Sequence, residues 1–381
     1  MNIKSLFLGS AAALAAVTGA RAADAVVVAE PEPAEYVKIC DVYGAGYFYI
    51  PGTETCLRIG GYVRYDIGGG DIGSFDGARA LDHQDGSINE TWKKNARFNL
   101  KTWTGQETEL GTLKTYTETR FNFGNTAKSG LGPDSNGGVG AYNKPASLNF
   151  AWIQLGGLRV GMDQSAFLTF SGYAGNVIQD TLVPYGTFDT NVIQYYFDAG
   201  NGFTAVVSLE EGSKAFTIDS YVPHVVGGVK YKQDWGAITG VVSYDSNYEE
   251  VAGKVRLDVI ATSQLSLWVM GGYGTDNNLS SYLGNGGRGF YKQWYGHWAI
   301  WGGGTYKLND KTSFNTQISY DQGKNLGIAA NVAYIVVPGF TITAEVDYLN
   351  AGKFGDTDFS NWTGADKKSS IGGVLRFQRS F

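Results

Sequence analysis

The stretch of sequence that decides the fold is Leu57-Arg58-Ile59-Gly60-Gly61-Tyr62-Val63-Arg64-Tyr65-Asp66-Ile67. Its odd-numbered residues are apolar or glycine, whereas its even-numbered residues include two arginines, a tyrosine and an aspartate. Successive side chains of a β-strand point to opposite faces of a sheet. The alternation therefore predicts a strand with one apolar and one polar face, and the same pattern returns over residues 251–261 and 340–349.

Sixteen segments of the chain follow this period of two. They are residues 57–67, 92–103, 113–123, 147–155, 157–163, 190–198, 203–209, 225–233, 237–245, 251–261, 265–273, 297–308, 313–320, 326–336, 340–349 and 370–381. Their mean length of about ten residues is what a tilted strand needs to cross the hydrocarbon core of a bilayer. The even count predicts an all-β fold, a closed antiparallel transmembrane β-barrel.

The connections between these segments are alternately long and short, with short exceptions among the long ones at 246–250 and 321–325. Long loops on one rim and short turns on the other are typical of outer-membrane barrels, whose short turns face the periplasm. Tyrosine and phenylalanine residues of the apolar parity stand at strand ends, as expected of the two aromatic girdles of such a barrel. No run of about 18 apolar residues follows the N-terminus, which excludes helical membrane spans.

The N-terminal region has the composition of an export signal. Lys4 precedes an apolar stretch that ends in Ala20-Arg21-Ala22, so residues 1–22 are predicted to be a signal peptide cleaved before Ala23. We expect residues 23–56 to form a periplasmic or hairpin segment and residues 57–381 to form the barrel. Cys40 and Cys56 are the only cysteines, and in an oxidising compartment such a close pair predicts a structural disulfide.

Motifs of enzymes and of metal, cofactor or nucleic-acid binding are weak. Residues 68–73 satisfy G-x-G-x-x-G, but no amphipathic helix follows to complete a dinucleotide site. His83, His224 and His297 lie far apart without metal-ligand spacing. The net charge of −6 and the dispersed basic residues argue against nucleic acid as a partner. We therefore expect no catalytic residues, no cofactor and no metal site.

A barrel of about sixteen strands is too wide to be filled by its own side chains, so it encloses an aqueous channel. The polar parity of the first three strands and of the last predicts one contiguous basic surface in the lumen, the basic wall. It comprises Arg58, Arg64, Lys93, Arg97, Lys101, Lys114, Arg120 and Arg376. A solvated charged face without selectivity is the alternative interpretation of the same pattern.

The third long loop, residues 164–189, is richer in apolar residues than the other loops. We expect this third loop to fold into the lumen, because that would bury its apolar side chains and narrow the pore. Asp180 and Asp189 would then lie near the lumen, facing the basic wall. Acidic and basic groups on opposite sides of a constriction produce a transverse field that discriminates ions.

Residues 37–44 and 56–64 and the terminal Phe381 resemble the general porins of alphaproteobacteria, of the rhizobial and brucellar type. The resemblance implies a homotrimeric, sixteen-stranded porin embedded in outer-membrane lipid and lipopolysaccharide, which passes small hydrophilic solutes and ions and has its third loop in the lumen. By analogy, Arg64, Arg97 and Arg120 match the basic cluster of the family, and Asp180 and Asp189 match its loop acids. Arg379 departs from the apolar residue usual two places before the final phenylalanine.

The sequence therefore predicts a general diffusion porin of the bacterial outer membrane that catalyses no reaction. Two alternatives stay open. A solute-specific channel would carry aromatic or polar tracks in the lumen, to which the inward parity of Trp268 and Trp301 gives a weak hint. A surface adhesin or receptor would use the long loops 68–91, 124–146 and 274–296.

Overall fold

The computed structural model describes residues 38–73, 77–127, 139–275, 289–354 and 367–381. Residues Ile39–Phe381 form one compact unit. The predicted signal peptide and residues 23–37 lie outside the described residues, so the cleavage site and the boundary at residue 23 stay predictions.

Strands dominate the described chain. In chain order they are β1 (Phe48–Tyr49), β2 (Cys56–Gly70), β3 (Ala78–Leu81), β4 (Ile88–Thr91), β5 (Lys93–Thr108), β6 (Gly111–Ala127), β7 (Val139–Asn143), β8 (Ser147–Leu155), β9 (Leu158–Gln164), β10 (Asp189–Asp198), β11 (Phe203–Glu210), β12 (His224–Gln233), β13 (Gly236–Asp245), β14 (Glu250–Ile260), β15 (Leu265–Gly274), β16 (Trp298–Asn309), β17 (Thr312–Asp321), β18 (Leu326–Val337), β19 (Phe340–Asn350) and β20 (Ser369–Ser380). A short helix α1 (Ala166–Thr169) and a 3-10 turn (Lys214–Phe216) complete the regular structure. Within the described ranges, no helix is long and apolar enough to cross a membrane.

Sixteen of these strands form a closed antiparallel barrel. β2 pairs with β5 on one side and with β20 on the other, so the first and last barrel strands close the sheet. The terminal residue completes this seam, because the backbone N–H and C=O of Phe381 both bond to Gly61, each over 3.1 Å. The predicted barrel and its strand count are confirmed.

Four short strands were not predicted from the sequence. β3 and β4 form a hairpin in the first long loop, and β7 extends the pairing of β6 beyond the barrel. β1 pairs with the start of β2. These segments are two to five residues long and lack a sustained alternation, which explains why periodicity does not reveal them.

The two faces of the strands follow the predicted parity. On β14, Val255 is 62% exposed on the outer face, whereas Lys254 and Arg256 are buried on the lumenal face. Aromatic side chains are exposed on the outer face near both rims, for example Tyr273 at the long-loop end and Phe381 at the short-turn end. Arg379, which stands where an apolar residue is usual, donates a hydrogen bond to the carbonyl of Pro338 over 2.8 Å. Its charge therefore reaches the turn at the rim.

The predicted disulfide is present. Cys40 and Cys56 are bonded, with their Cα atoms 6.0 Å apart. The bond closes a hairpin in which Ile39 bridges to Phe48 and β1 pairs with β2. The cysteines therefore attach the N-terminal segment to the first residue of the first barrel strand.

The first test concerns this lipid-facing parity. Val255→Arg is expected to cost about 2–4 kcal/mol of folding stability, because it places a charge on the outer face near the middle of the bilayer. Ser266→Arg is the control, since Ser266 has the inward parity of β15 and is exposed in the lumen. Its cost should be well below 1 kcal/mol. Denaturant titration of refolded protein in lipid vesicles would measure the loss of folding stability in each variant. Equal losses for the two variants would contradict the assignment of the outer and lumenal faces.

Candidate functional site

The third loop lies inside the barrel. It leaves β9 at Gln164, forms α1 and returns to β10 at Asp189. The Ser165 side chain accepts a bond from the N–H of Phe167 at the start of α1, and the Ser165 N–H donates to the carbonyl of Phe188 over 2.8 Å. This second bond joins the two ends of the loop, so the segment between them folds as a compact unit.

Apolar packing holds the third loop against the lumenal face, as its composition predicts. Its buried side chains are Phe167, Leu168, Phe170, Leu182, Val183 and Tyr185. All of them except Leu182 pack with inward residues of the strands such as Met270 and Trp301, and with Phe290, Tyr291 and Trp294 from the loop that joins β15 to β16. Leu182 packs separately, against Ala329 and Leu349. Trp301 is fully buried in this packing and therefore does not line an exposed aromatic track. Trp268 is partly buried, and the guanidinium of Arg256 lies 4.6 Å from its ring centroid.

Hydrogen bonds from inward side chains fix the backbone of the third loop along the wall from β11 to β19. Two carboxylates accept from backbone N–H groups of the loop: Glu210 Oε1 from Ala166 over 2.8 Å and Glu345 Oε1 from Gln179 over 2.7 Å. Three side chains donate to backbone carbonyls of the loop: Lys254 Nζ to Tyr185 over 2.9 Å, Trp301 Nε1 to Val183 over 2.8 Å and Gln317 Nε2 to Asp180 over 2.8 Å. A buried backbone group must be paired, and these strands supply the partners. The inward fold of the third loop is confirmed.

Lys254 is the most unusual of these anchors. It is a buried lysine, and its ammonium lies 4.1 Å from the ring centroid of Phe167 and 5.4 Å from that of Tyr185. A buried charge is costly unless it is compensated. Here a carbonyl and two ring faces compensate it, and all three belong to the third loop.

Asp180 is half-buried, and its carboxylate accepts a hydrogen bond of 2.6 Å from the hydroxyl of Tyr185. Burial raises the pKa of Asp180 to about 6, the hydrogen bond from Tyr185 opposes the rise, and the charge of Glu345 adds to it. The same burial and the neighbouring carboxylate raise the pKa of Tyr185. Asp180 therefore changes its charge in the range of pH 5 to 7.

Asp189 lies elsewhere on the same loop. It is the first residue of β10, where it faces Gln164 of β9 in register, and it is half-buried. The structure places Asp180 beside β17 and Asp189 at the end of the loop that joins β9 to β10. The two predicted acids therefore do not form one cluster.

Arg64 and Arg97 lie directly opposite each other on β2 and β5, in the centre of the basic wall. Each is held by an amide oxygen: Arg64 Nε donates to Gln378 Oε1 and Arg97 Nε donates to Asn122 Oδ1, both over 2.8 Å. Among the residues that the structure describes, neither guanidinium forms an ion pair. Both side chains are half-buried, so two positive charges face the lumen without a bound acid.

Three other members of the basic wall have carboxylate partners. Glu118, which is buried, lies 2.6 Å from Arg120 and 3.3 Å from Lys101. Asp66 lies 2.7 Å from Arg376 across the barrel seam. Sequence reasoning assigned the arginines and lysines but missed both acids. Residues 66 and 118 share the inward parity of Arg64 and Arg120, which lie two positions away, and this shared parity is the signal that could have revealed the acids.

Arg58 stands apart from the rest of the basic wall. It is the third residue of β2, close to the short-turn rim, and its guanidinium carbon lies 4.6 Å from the ring centroid of Trp103. Lys93 and Lys114 are exposed. The eight residues of the basic wall thus fall into four sets: two arginines without a carboxylate partner, three cations that share two carboxylates, two exposed lysines, and a separate arginine at the short-turn mouth.

Comparison with solved structures shows which class of barrel this is. The outer membrane channel DcaP of Acinetobacter baumannii superposes with a TM-score of 0.57 at 14% identity, covering 87% of this chain and 99% of that one. OmpF of Salmonella typhi, in complex with daunomycin, gives 0.53 at 10% identity over 86% and 98%. A triple mutant of the Rhodopseudomonas blastica porin gives 0.52 at 12% identity over 85% and 100%. At these identities the likeness is one of fold.

Sequence comparison is more specific. Porin Omp2b of Brucella canis and porin Omp2b of Brucella abortus (strain 2308) are each 50% identical to this chain over 398 aligned residues, which cover 100% of both proteins. Residues 24–374 match the family described as the Porin subfamily. The chain therefore belongs to this porin family and forms a general diffusion channel for small hydrophilic solutes across the bacterial outer membrane.

Proposed function

We propose that the third loop and the basic wall form the constriction that sets the ion selectivity of this pore. The observation that carries the proposal is the position of the third loop, which is fixed along β11 to β19 while Arg64 and Arg97 remain unpaired on β2 and β5. Asp180 and Asp189 provide acidic groups on the loop. Solutes pass by diffusion, without a cofactor or an energy source.

The arginines of the basic wall contribute unequally to this field. Glu118 is shared by Arg120 and Lys101 and offsets one of their two positive charges, and Asp66 offsets the charge of Arg376. Arg64 and Arg97 each donate to an amide oxygen, and Arg64 also lies 4.5 Å from the ring centroid of Tyr62. Within the described part of the chain, neither has a carboxylate partner that would offset its charge. Charges within the Debye length of about 8–10 Å act on an ion that passes between them. We therefore assign the basic side of the field mainly to Arg64 and Arg97.

Charge removal tests this assignment. Arg97→Gln is expected to shift the reversal potential in a salt gradient towards cations, whereas Asp180→Asn and Asp189→Asn are each expected to shift it towards anions. The shifts should shrink in 1 M salt, where the Debye length is about 3 Å. Lys307→Gln is the control, because Lys307 is exposed with inward parity on β16, away from the basic wall. An equal shift for Arg97→Gln and Lys307→Gln would contradict a localised constriction.

The charge of Asp180 should make selectivity depend on pH. Its pKa of about 6 lies above the ordinary value for aspartate, so the carboxylate is charged at pH 7.5 and mostly protonated at pH 5. Lowering the pH over this range should shift the reversal potential towards anions, with a midpoint near pH 6. Asp180→Asn should abolish that step, and a step of unchanged size in this variant would assign the titration to another group.

We also infer that the porin is a homotrimer whose subunits meet through the outer face of β5 and β6. This face carries hydroxyl pairs, Thr102 with Thr117 and Thr104 with Thr115, each at 2.6 Å. Hydroxyl groups are poorly suited to hydrocarbon even when they are paired, whereas a neighbouring subunit can accommodate them. We expect the remaining outer band to face lipid and lipopolysaccharide.

A bulky substitution tests the subunit contact. Thr104→Trp is expected to destabilise the trimer by overpacking, at a cost of about 1–3 kcal/mol. Val229→Trp is the matched control, because Val229 is 53% exposed on the outer face of β12. Gel migration after graded heating would measure the dissociation temperature of each oligomer. A lower temperature for Thr104→Trp alone supports the contact, and a lower temperature for Val229→Trp alone places the interface elsewhere.

A further inference from the structure

The disulfide loop, residues 40–56, folds onto the lumenal side of the barrel at the short-turn mouth. The ring of Tyr43 lies against Gly105 so closely that a Cβ atom on Gly105 would lie 2.6 Å from it. The Tyr43 hydroxyl donates to Glu107 Oε1 over 2.9 Å. Gly105 and Glu107 share the inward parity of Trp103 on β5. The disulfide loop is therefore part of the lining of the mouth.

Within the disulfide loop, Gly46 covers the side chain of Arg58. Gly46 adopts a φ of +87°, and a Cβ atom there would lie 3.8 Å from the Cδ of Arg58. Burial raises the pKa of Tyr47, and the positive charge of Arg58 opposes the rise, which places that charge near Tyr47. Arg58 is thus held between the disulfide loop and the ring of Trp103, and its orientation is set before any solute arrives.

The guanidinium of Arg58 keeps its hydrogen-bonding capacity. Among the described residues, no carboxylate pairs with Arg58 and no acceptor receives its N–H groups. Stacking on Trp103 uses the face of the guanidinium plane and leaves its edges available. A planar fork of N–H donors binds two oxygens of a carboxylate or phosphate at once. The disulfide loop and Trp103 together therefore hold the guanidinium of Arg58 at the mouth with its N–H donors unused by the described residues.

We propose that Arg58 is a second anion-binding site, at the periplasmic mouth, that takes small oxyanions such as carboxylates and phosphates. It is separate from the constriction, because Arg64 lies three inward-facing positions farther along β2. Short turns face the periplasm in barrels of this class, so the site is closer to the periplasmic solution than to the external one. The proposal goes beyond general diffusion, since it makes the pore asymmetric for anions.

Sided block of conductance tests the site. Full-length porin is inserted into planar bilayers, and its orientation is assigned by the side of addition. Inorganic phosphate or acetate is then titrated from each side in a chloride background. In the wild type we expect either anion to reduce the current in a saturable way, and to reduce it more when it is added on the short-turn side of the barrel. Arg58→Gln should weaken this block about tenfold, and Arg58→Lys, which keeps the charge but loses the fork, should give an intermediate loss.

Two further variants distinguish a site at Arg58 from a general effect of positive charge at the mouth. Lys114→Gln removes a charge at the same mouth without a stacked guanidinium, since Lys114 faces Gly105 in register, and it should leave the block unchanged. Cys40→Ser combined with Cys56→Ser releases the disulfide loop and should weaken the block although Arg58 remains. Equal block in Arg58→Gln and the wild type, or equal weakening by Lys114→Gln, would overturn the site. Arg97→Gln tests the constriction alone, so either proposal can fail while the other stands.

Discussion

In the hydrocarbon of a bilayer, every backbone N–H and C=O must find its partner within the protein. A sheet meets this demand only when it closes on itself, and the seam between β2 and β20 is where this chain does so. The bonds between Gly61 and Phe381 extend the seam to the last residue. Closure with sixteen strands leaves a lumen wider than side chains can fill. The third loop, the basic wall and the disulfide loop are all arranged around this lumen.

The same demand for paired backbone groups explains how the third loop stays in the lumen. A loop in the lumen needs hydrogen-bond partners as well as apolar contacts, and the inward faces of β11 to β19 provide Glu210, Lys254, Trp301, Gln317 and Glu345 for this purpose. These side chains are consequently occupied and are not available to solutes. None of these five anchors lies on β20, β2, β5 or β6, where Arg64 and Arg97 face the lumen. Asymmetry between the two halves of the barrel is thus the structural basis of the transverse field that we propose.

Much of this organisation could be predicted from the sequence because it depends on local periodicity. Alternation over residues 57–67 and its repeats predicted the barrel, and the apolar content of the third loop predicted its inward fold. The pairing of charges could not be predicted in the same way. Whether Arg120 meets Glu118 or Arg376 meets Asp66 depends on parity together with the register between strands, and the second of these pairs joins residues 310 positions apart in the chain.

Pairing decides what each cation of the lumen can do. Arg120 and Arg376 have carboxylate partners and mainly stabilise the wall, because breaking such a pair leaves a partly buried charge uncompensated. Lys254 has a carbonyl and ring faces as partners and positions the third loop. Arg64 and Arg97 each donate to an amide oxygen and, within the described ranges, have no carboxylate partner. Arg64 and Arg58 both lie over an aromatic ring, but only Arg58 has no hydrogen-bond acceptor among the described residues. The type of neighbour, and not the presence of a basic residue, therefore separates the structural cations of this pore from those to which we assign contact with solutes.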